Sequence, residues 1–214
     1  MKNWKLWLRW SWRDLRARWL QVVAIALIIA LGTGVFAGLG GQKFWRIKSL
    51  DKSYAALNAY DLRMQLADGS YVDQAQLMDA LSTVKGIQTM EPRLIAPTLL
   101  DASHDSKNVL VEGRMVGVDV ADGGPHVNSL YIYKGRGLTT DDSGKNVVVV
   151  ETQFVKYYHL KPGDPMRISG DVSLDFVGTA QSPEYFTVVP DNGTFLGEAS
   201  LAILFMPLAT VQTL

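Results

Sequence analysis

The sequence predicts an α+β protein, with an N-terminal interfacial helix and one transmembrane helix followed by a β-rich extracytoplasmic domain. Three observations lead there. Trp19–Gln42 is a 24-residue stretch without a charge, long enough as a helix to cross a hydrocarbon core of about 30 Å. Residues 1–18 interleave tryptophan with Lys and Arg. Beyond residue 58 strand-like runs outnumber helical ones and do not alternate with them regularly, which indicates α+β rather than a wound parallel sheet.

The boundaries follow: 1–18 an amphipathic interfacial (elbow) helix, 19–42 the transmembrane helix, 43–58 a stalk, and 59–214 the α+β domain. On a wheel of 100° per residue, Lys5, Arg9, Arg13 and Arg16 form one stripe, while Trp4, Leu8, Trp12, Leu15 and Trp19 share the neighbouring arc. Such a helix lies along a membrane surface. Trp19 and Trp45 flank the apolar stretch where aromatic rings favour the headgroup level. A cleaved secretory signal is the other reading of a basic start followed by apolar residues. Signal cores usually run about 7–15 residues, and this stretch is longer and is not closed by an A-x-A site. Ala26, Ala30, Gly34 and Gly38 recur every fourth residue, and this small-residue face suits close packing of another helix. Gly and Ala are also simply common in membrane helices.

Charge divides the chain. Residues 1–52 carry 10 Lys and Arg against 2 acids, a net of +8, and residues 53–214 carry 11 against 19, a net of −8. An acidic folded domain argues against nucleic-acid binding, which needs a basic face. Residues 1–18 hold six positive charges and residues 43–52 hold four, which sets the N-terminus in the cytoplasm, since a long domain translocates largely regardless of its charge. With no cysteine there is neither a disulfide nor a thiolate zinc site.

In chain order, DLRMQL at 61–66 alternates and reads as a strand. Asp73 and Gln76 make a capping pair for a helix over 74–85, closed by Gly86. IQTMEPRLIAPTLL, NVLVEGRMVGVDV and SLYIY read as strands, and NVVVVE at 146–151 as a buried strand leading into a helix, TQFVKYYHL, that stops at Pro162. MRIS, SLDFVGTA and SLAILFM supply three more strands, and LATVQTL opens a helix. DSKNVLVE and DSGKNVVVVE look alike, as shared turn-then-strand chemistry without a sustained period.

No catalytic motif is written in the chain. His104, His126 and His159 are far apart and lack metal-ligand spacing. There is no GxSxG elbow and no phosphate-binding lysine loop, and the adjacent Asp141 and Asp142 read as turn or cap residues. One loop is unusually apolar: SPEYFTVVPDNGTF, with Pro183, Tyr185, Phe186 and Phe195. Its aromatics either pack back on the sheet or form a contact surface for a partner or lipophilic substrate.

The order of parts, with LRARWLQ before the span, ALGTGVFAGLG within it, and then KGRGLTTDD, NVVVVETQFVKYYHLKPGD, FVGTAQSPEY and LFMPLATV, resembles the N-terminal part of MacB/FtsX-like ABC transporter permeases, the type VII exporter and mechanotransmission class. The resemblance implies a MacB-like periplasmic core domain in a noncatalytic subunit of the bacterial inner membrane. ATP and magnesium would sit on a cytoplasmic ABC ATPase dimer, with no cofactor in this chain. Further partners would be the remaining permease helices or a second permease, a periplasmic adaptor, and membrane lipid, met by Lys5, Arg9, Arg13 and Arg16. The family's later membrane helices and its coupling helix are not in these 214 residues, so the chain is expected to be part of a longer or split permease. A single-pass anchored adaptor or sensor is the alternative.

Overall fold

A computed structural model describes residues 4–67, 70, 72–103, 109–186, 188 and 199–214. Two compact units emerge, Met1–Lys52 and Ser53–Leu214. The first consists of α1 (Trp4–Ala17) and most of α2 (Trp19–Ala56), interrupted only at Arg18. Neither helix buries a residue. At 1.5 Å per residue the 38 residues of α2 extend roughly 57 Å. It is the one helix among the described residues long and apolar enough to cross a membrane.

The second unit is mixed α and β, in agreement with the expected class. After α3 (Gln74–Ser82) come β1 (Leu94–Asp101), β2 (Leu110–Val118), β3 (Tyr131–Gly135) and β4 (Val147–Glu151). α4 (Thr152–Tyr158), β5 (Met166–Ile168), β6 (Val172–Gln181), β7 (Leu201–Pro207) and α5 (Leu208–Val211) follow. The strand order β3-β6-β4-β7-β2-β1-β5 returns on itself, because β5 also pairs with β6. Six strands therefore close a ring, and β3 hangs on β6 outside it. β2–β7 and β4–β6 are parallel; the other pairings are antiparallel. Pro97 is tolerated in β1 because β5 pairs only with Leu100 and Asp101, leaving the N–H side of the strand open at Pro97.

Alternation along the strands builds two cores. Val148 and Val150, with Ala202, Leu204 and Met206, join Leu100, Met115, Met166, Ile168, Leu174 and Phe176, so every strand of the ring contributes to the interior. Phe154 and Val155 of α4 and Val211 of α5 complete that cluster. The opposite sides of the same strands, Val147, Val149, Leu201, Ile203 and Phe205, pack under Val120, Leu138 and Tyr185. β4 and β7 are thus buried on both faces, which is why their sequences are continuous apolar runs.

Two expectations need correction. DLRMQL forms no strand: Leu62, Met64 and Leu66 are exposed and the segment pairs with none of the described strands. Alternation supplies one face, but a strand also needs a hydrogen-bonding neighbour. α3 ends at Ser82 rather than 85. The Asp73 carboxylate accepts from the Gln76 N–H at 3.0 Å as expected, but the Ser82 and Thr83 hydroxyls donate to the Asp79 and Ala80 carbonyls, and the chain turns there. Gly86, with φ +96°, takes the left-handed turn beyond it. α4 is held at its start by the buried Glu151 carboxylate, which accepts from the Gln153 and Phe154 N–H groups at 2.8 and 2.9 Å. Left-handed His159 (φ 61°) stops it.

Asp142 closes the turn between β3 and β4. It accepts from Arg136 Nη1 and Nη2 at 2.6 and 2.9 Å and from the Thr139 N–H and hydroxyl at 2.9 and 3.0 Å. The Arg136 guanidinium is the main cause that holds its carboxyl down from 3.8 to about 2. A carboxyl depressed by folding stabilises the fold above its unfolded pKa and ceases to do so as pH falls through the folded one. We expect Asp142→Asn to lower stability at neutral pH by about 1–2 kcal/mol, a figure reduced because Arg136 is half exposed. Urea titrations should show wild type and variant converging between pH 4 and pH 2, roughly the span between the two pKa values; a constant difference would contradict it.

Candidate functional site

The first unit presents the expected membrane-facing residues in the open. Lys5, Arg9, Arg13 and Arg16 are exposed on α1, and the Arg13 guanidinium lies 5.6 Å from the Trp10 ring centroid. Trp19 and Trp45 are exposed on α2, where Phe44 meets Trp45 edge-on and Lys48 lies over the Phe44 ring. Ala26, Ala30, Gly34 and Gly38 share one stripe of α2, and a Cβ added at Gly34 or Gly38 would meet nothing within 4 Å. Thr33, next to the stripe, returns its hydroxyl to the Ile29 carbonyl at 2.7 Å, a local bond that satisfies a polar group in an apolar helix.

The second unit contains a charged joint that individual residues did not announce. It gathers around the 3₁₀ turn Pro183–Tyr185, started by Pro183 at its first position. Pro183 and Tyr185 are buried, and the Tyr185 ring packs edge-on against Phe205 with centroids 5.9 Å apart. Burial pushes the Tyr185 hydroxyl pKa up, and that hydroxyl has no hydrogen-bond partner among the described residues. Phe186 stacks on Tyr54, centroids 5.9 Å apart and planes 5° from parallel. Phe195 lies outside the described residues.

Between these aromatics sits Glu184, whose side chain is 7% exposed. Its Oε1 accepts from Arg63 Nη1 at 2.6 Å, and its Oε2 accepts from Asn128 Nδ2 at 3.2 Å and from Arg93 Nη1 at 3.5 Å. Arg93 also donates to Glu91 and to the backbone carbonyls of Val127 and Asn128. The second Glu91 oxygen accepts from the His126 and Val127 N–H groups at 2.9 and 2.8 Å. The two buried glutamates are met by Arg93, itself largely buried, and by Arg63 from the exposed rim, so neither carboxylate is left without a cation. Asn128, fully buried, uses its Oδ1 to accept from the Tyr60 N–H at 3.0 Å. Its backbone N–H donates to Asn58, and that of Ser129 to Leu57, at 2.9 and 2.8 Å. Asn58 and Asn128 are both left-handed at φ 48°, a conformation asparagine tolerates better than most residues.

The histidines do not converge. His126 and His159 are exposed and His104 lies outside the described residues. Among the described residues no three His, Asp or Glu side chains are placed to hold a metal ion. Asp141 is exposed while Asp142 is buried on Arg136, so the pair diverges as adjacent turn residues do. Of the joint, the sequence singled out the turn and its aromatics but missed Glu184, Glu91, Arg93 and Asn128. The one available signal was an acid inside an otherwise apolar SPEYF.

No family model matches the chain, and no curated protein matches its sequence. Among solved structures the chain is similar to the extracellular domain of the noncanonic ABC-type transporter YknZ from Gram-positive bacteria. The identity is 14% and the TM-score 0.43, over 64% of this chain and 64% of that one. It is also similar to the periplasmic region of MacB from Actinobacillus actinomycetemcomitans, at 20% identity and a TM-score of 0.40, over 63% of this chain and 55% of that one. The chain spans less than two thirds of the length of either.

Proposed function

We propose that the chain is the N-terminal portion of a permease subunit of an ABC transporter of the MacB/FtsX type. In this reading α1 lies on the cytoplasmic face of the inner membrane, α2 crosses it, and the β-ring unit stands in the periplasm or extracellular space. The subunit catalyses nothing itself. A separate cytoplasmic ATPase dimer binds ATP and magnesium, and its cycle moves the outer domain to export or extract a lipophilic substrate such as a lipid, lipoprotein, peptide or drug.

The observation that carries the reading is α2: an apolar helix whose small-residue stripe is uncovered by anything among the described residues. In water such a face would be costly, whereas in lipid it is neutral and its glycines admit a neighbouring helix. Lys5, Arg9, Arg13 and Arg16 add attraction to anionic headgroups of about 1 kcal/mol each. A further permease helix, or a second permease, fills the stripe.

Purification of the full-length protein from its native membrane in mild detergent, followed by mass spectrometry, tests this. The expected result is a stoichiometric ATPase subunit, and loss of assembled permease when Gly34→Leu and Gly38→Leu are introduced together. Recovery without an ATPase would overturn the reading and favour a single-pass adaptor or sensor.

A further inference from the structure

We propose that Glu184 is a latch that fixes the segment Leu57–Arg63, which follows α2, onto the β-ring unit. Among the described residues, the polar contacts of that segment with the rest of the unit converge on one neighbourhood: the Leu57 and Asn58 carbonyls and the Tyr60 N–H on Asn128 and Ser129, and the Arg63 guanidinium on Glu184. Glu184 holds both halves of this arrangement. One carboxylate oxygen takes Arg63 directly. The other takes the Asn128 amide N–H, which aims the amide oxygen at the Tyr60 N–H, and also takes Arg93. Arg93 in turn holds the Val127 and Asn128 carbonyls, and Glu91 holds the N–H groups of His126 and Val127. The 125–129 loop is thereby shaped to receive the segment, and Glu184 ties the segment to the loop.

The neighbourhood explains why one residue carries this. From Asp61 to Ala67 every residue is exposed, so apolar packing does little to hold the chain beyond Tyr60. The stacked pair Tyr54 and Phe186 adds an apolar contact on the other flank, and Phe186 follows Glu184 by two residues. Movement of Leu57–Arg63 is therefore delivered to the Pro183–Tyr185 turn, and through Tyr185 against Phe205 to the core strand β7. That this movement originates in an ATPase cycle rests on the permease reading; the latch itself does not.

Hydrogen exchange on the full-length protein in detergent decides it, with Glu184→Gln as a near-isosteric variant and Arg63→Gln as a second at the exposed rim. The expected result for Glu184→Gln is exchange faster by about tenfold or more at Tyr60, Asn128 and Ser129, with Val148–Val150 unchanged. Arg63→Gln should give the same pattern more weakly. Exchange at Tyr60, Asn128 and Ser129 within about twofold of wild type in both variants would overturn the latch. A permease that fails to retain an ATPase leaves this exchange result untouched, so the two failures are distinguishable.

Discussion

Gly178→Ala is expected to destabilise the β-ring unit by about 3 kcal/mol or more. A Cβ at this position would stand 2.1 Å from the Arg136 carbonyl oxygen, with the Arg136 N and C at 2.9 and 3.0 Å. All three are backbone atoms, so no side chain can swing aside. Across the ladder, Gly135 is paired with Gly178, and its own Cβ would lie 2.2 Å from the Val177 oxygen. Two glycines facing each other let the end of β3 fold tightly on β6, where Arg136 N–H donates to the Val177 carbonyl at 3.0 Å. The same crossing aims Arg136 at Asp142, so forcing the strands apart also loosens the turn that enters β4. Gly144→Ala is the control. Gly144 is left-handed at φ +73° but has nothing within 4 Å of an added Cβ, so the substitution should cost only about 1 kcal/mol. Thermal and urea unfolding of the two variants separates steric approach from backbone strain. Equal, small losses would contradict the crossing described here.

What the sequence made legible was whatever a local pattern determines. NVVVVE and SLAILFM announced buried strands because strands covered on both faces read as unbroken apolar runs, and TQFVKYY announced a helix by its spacing and by Pro162 beyond it. Ring closure was not legible. It depends on parallel pairings between β2 and β7 and between β4 and β6, and on the two-residue meeting of β1 with β5, none of which leaves a periodic trace. DLRMQL was misread for the same reason in reverse, since its period was right and its partner absent among the described strands. The joint was hidden because Glu91, Arg93, Asn128 and Glu184 are spread over 94 positions and each alone looks like an ordinary solvent-facing residue. Only the fold shows that Glu184 is buried between two arginines.

The other large effect concerns α2. Ile28 and Leu31 lie near the middle of the uncharged stretch and are 70% and 66% exposed. Arginine at the centre of a membrane helix costs about 2.5–3.5 kcal/mol on insertion scales. Ile28→Arg with Leu31→Arg should therefore cost about 5–7 kcal/mol together and move the protein from the membrane to the soluble or aggregated fraction. The same pair would be nearly silent for membrane recovery if α2 were a surface-lying helix, because both arginines would reach water. Fractionation after alkaline carbonate washing distinguishes the two.

Because the chain contains no cysteine, its topology can be read directly from single introduced thiols. Ser11→Cys lies on exposed α1 and Ser143→Cys on the exposed turn before β4. With a membrane-impermeant maleimide added outside the cytoplasmic membrane, position 143 should label at once and position 11 only after permeabilisation. Labelling of both positions from the same side of the intact membrane would contradict a spanning α2 with the β-ring unit outside.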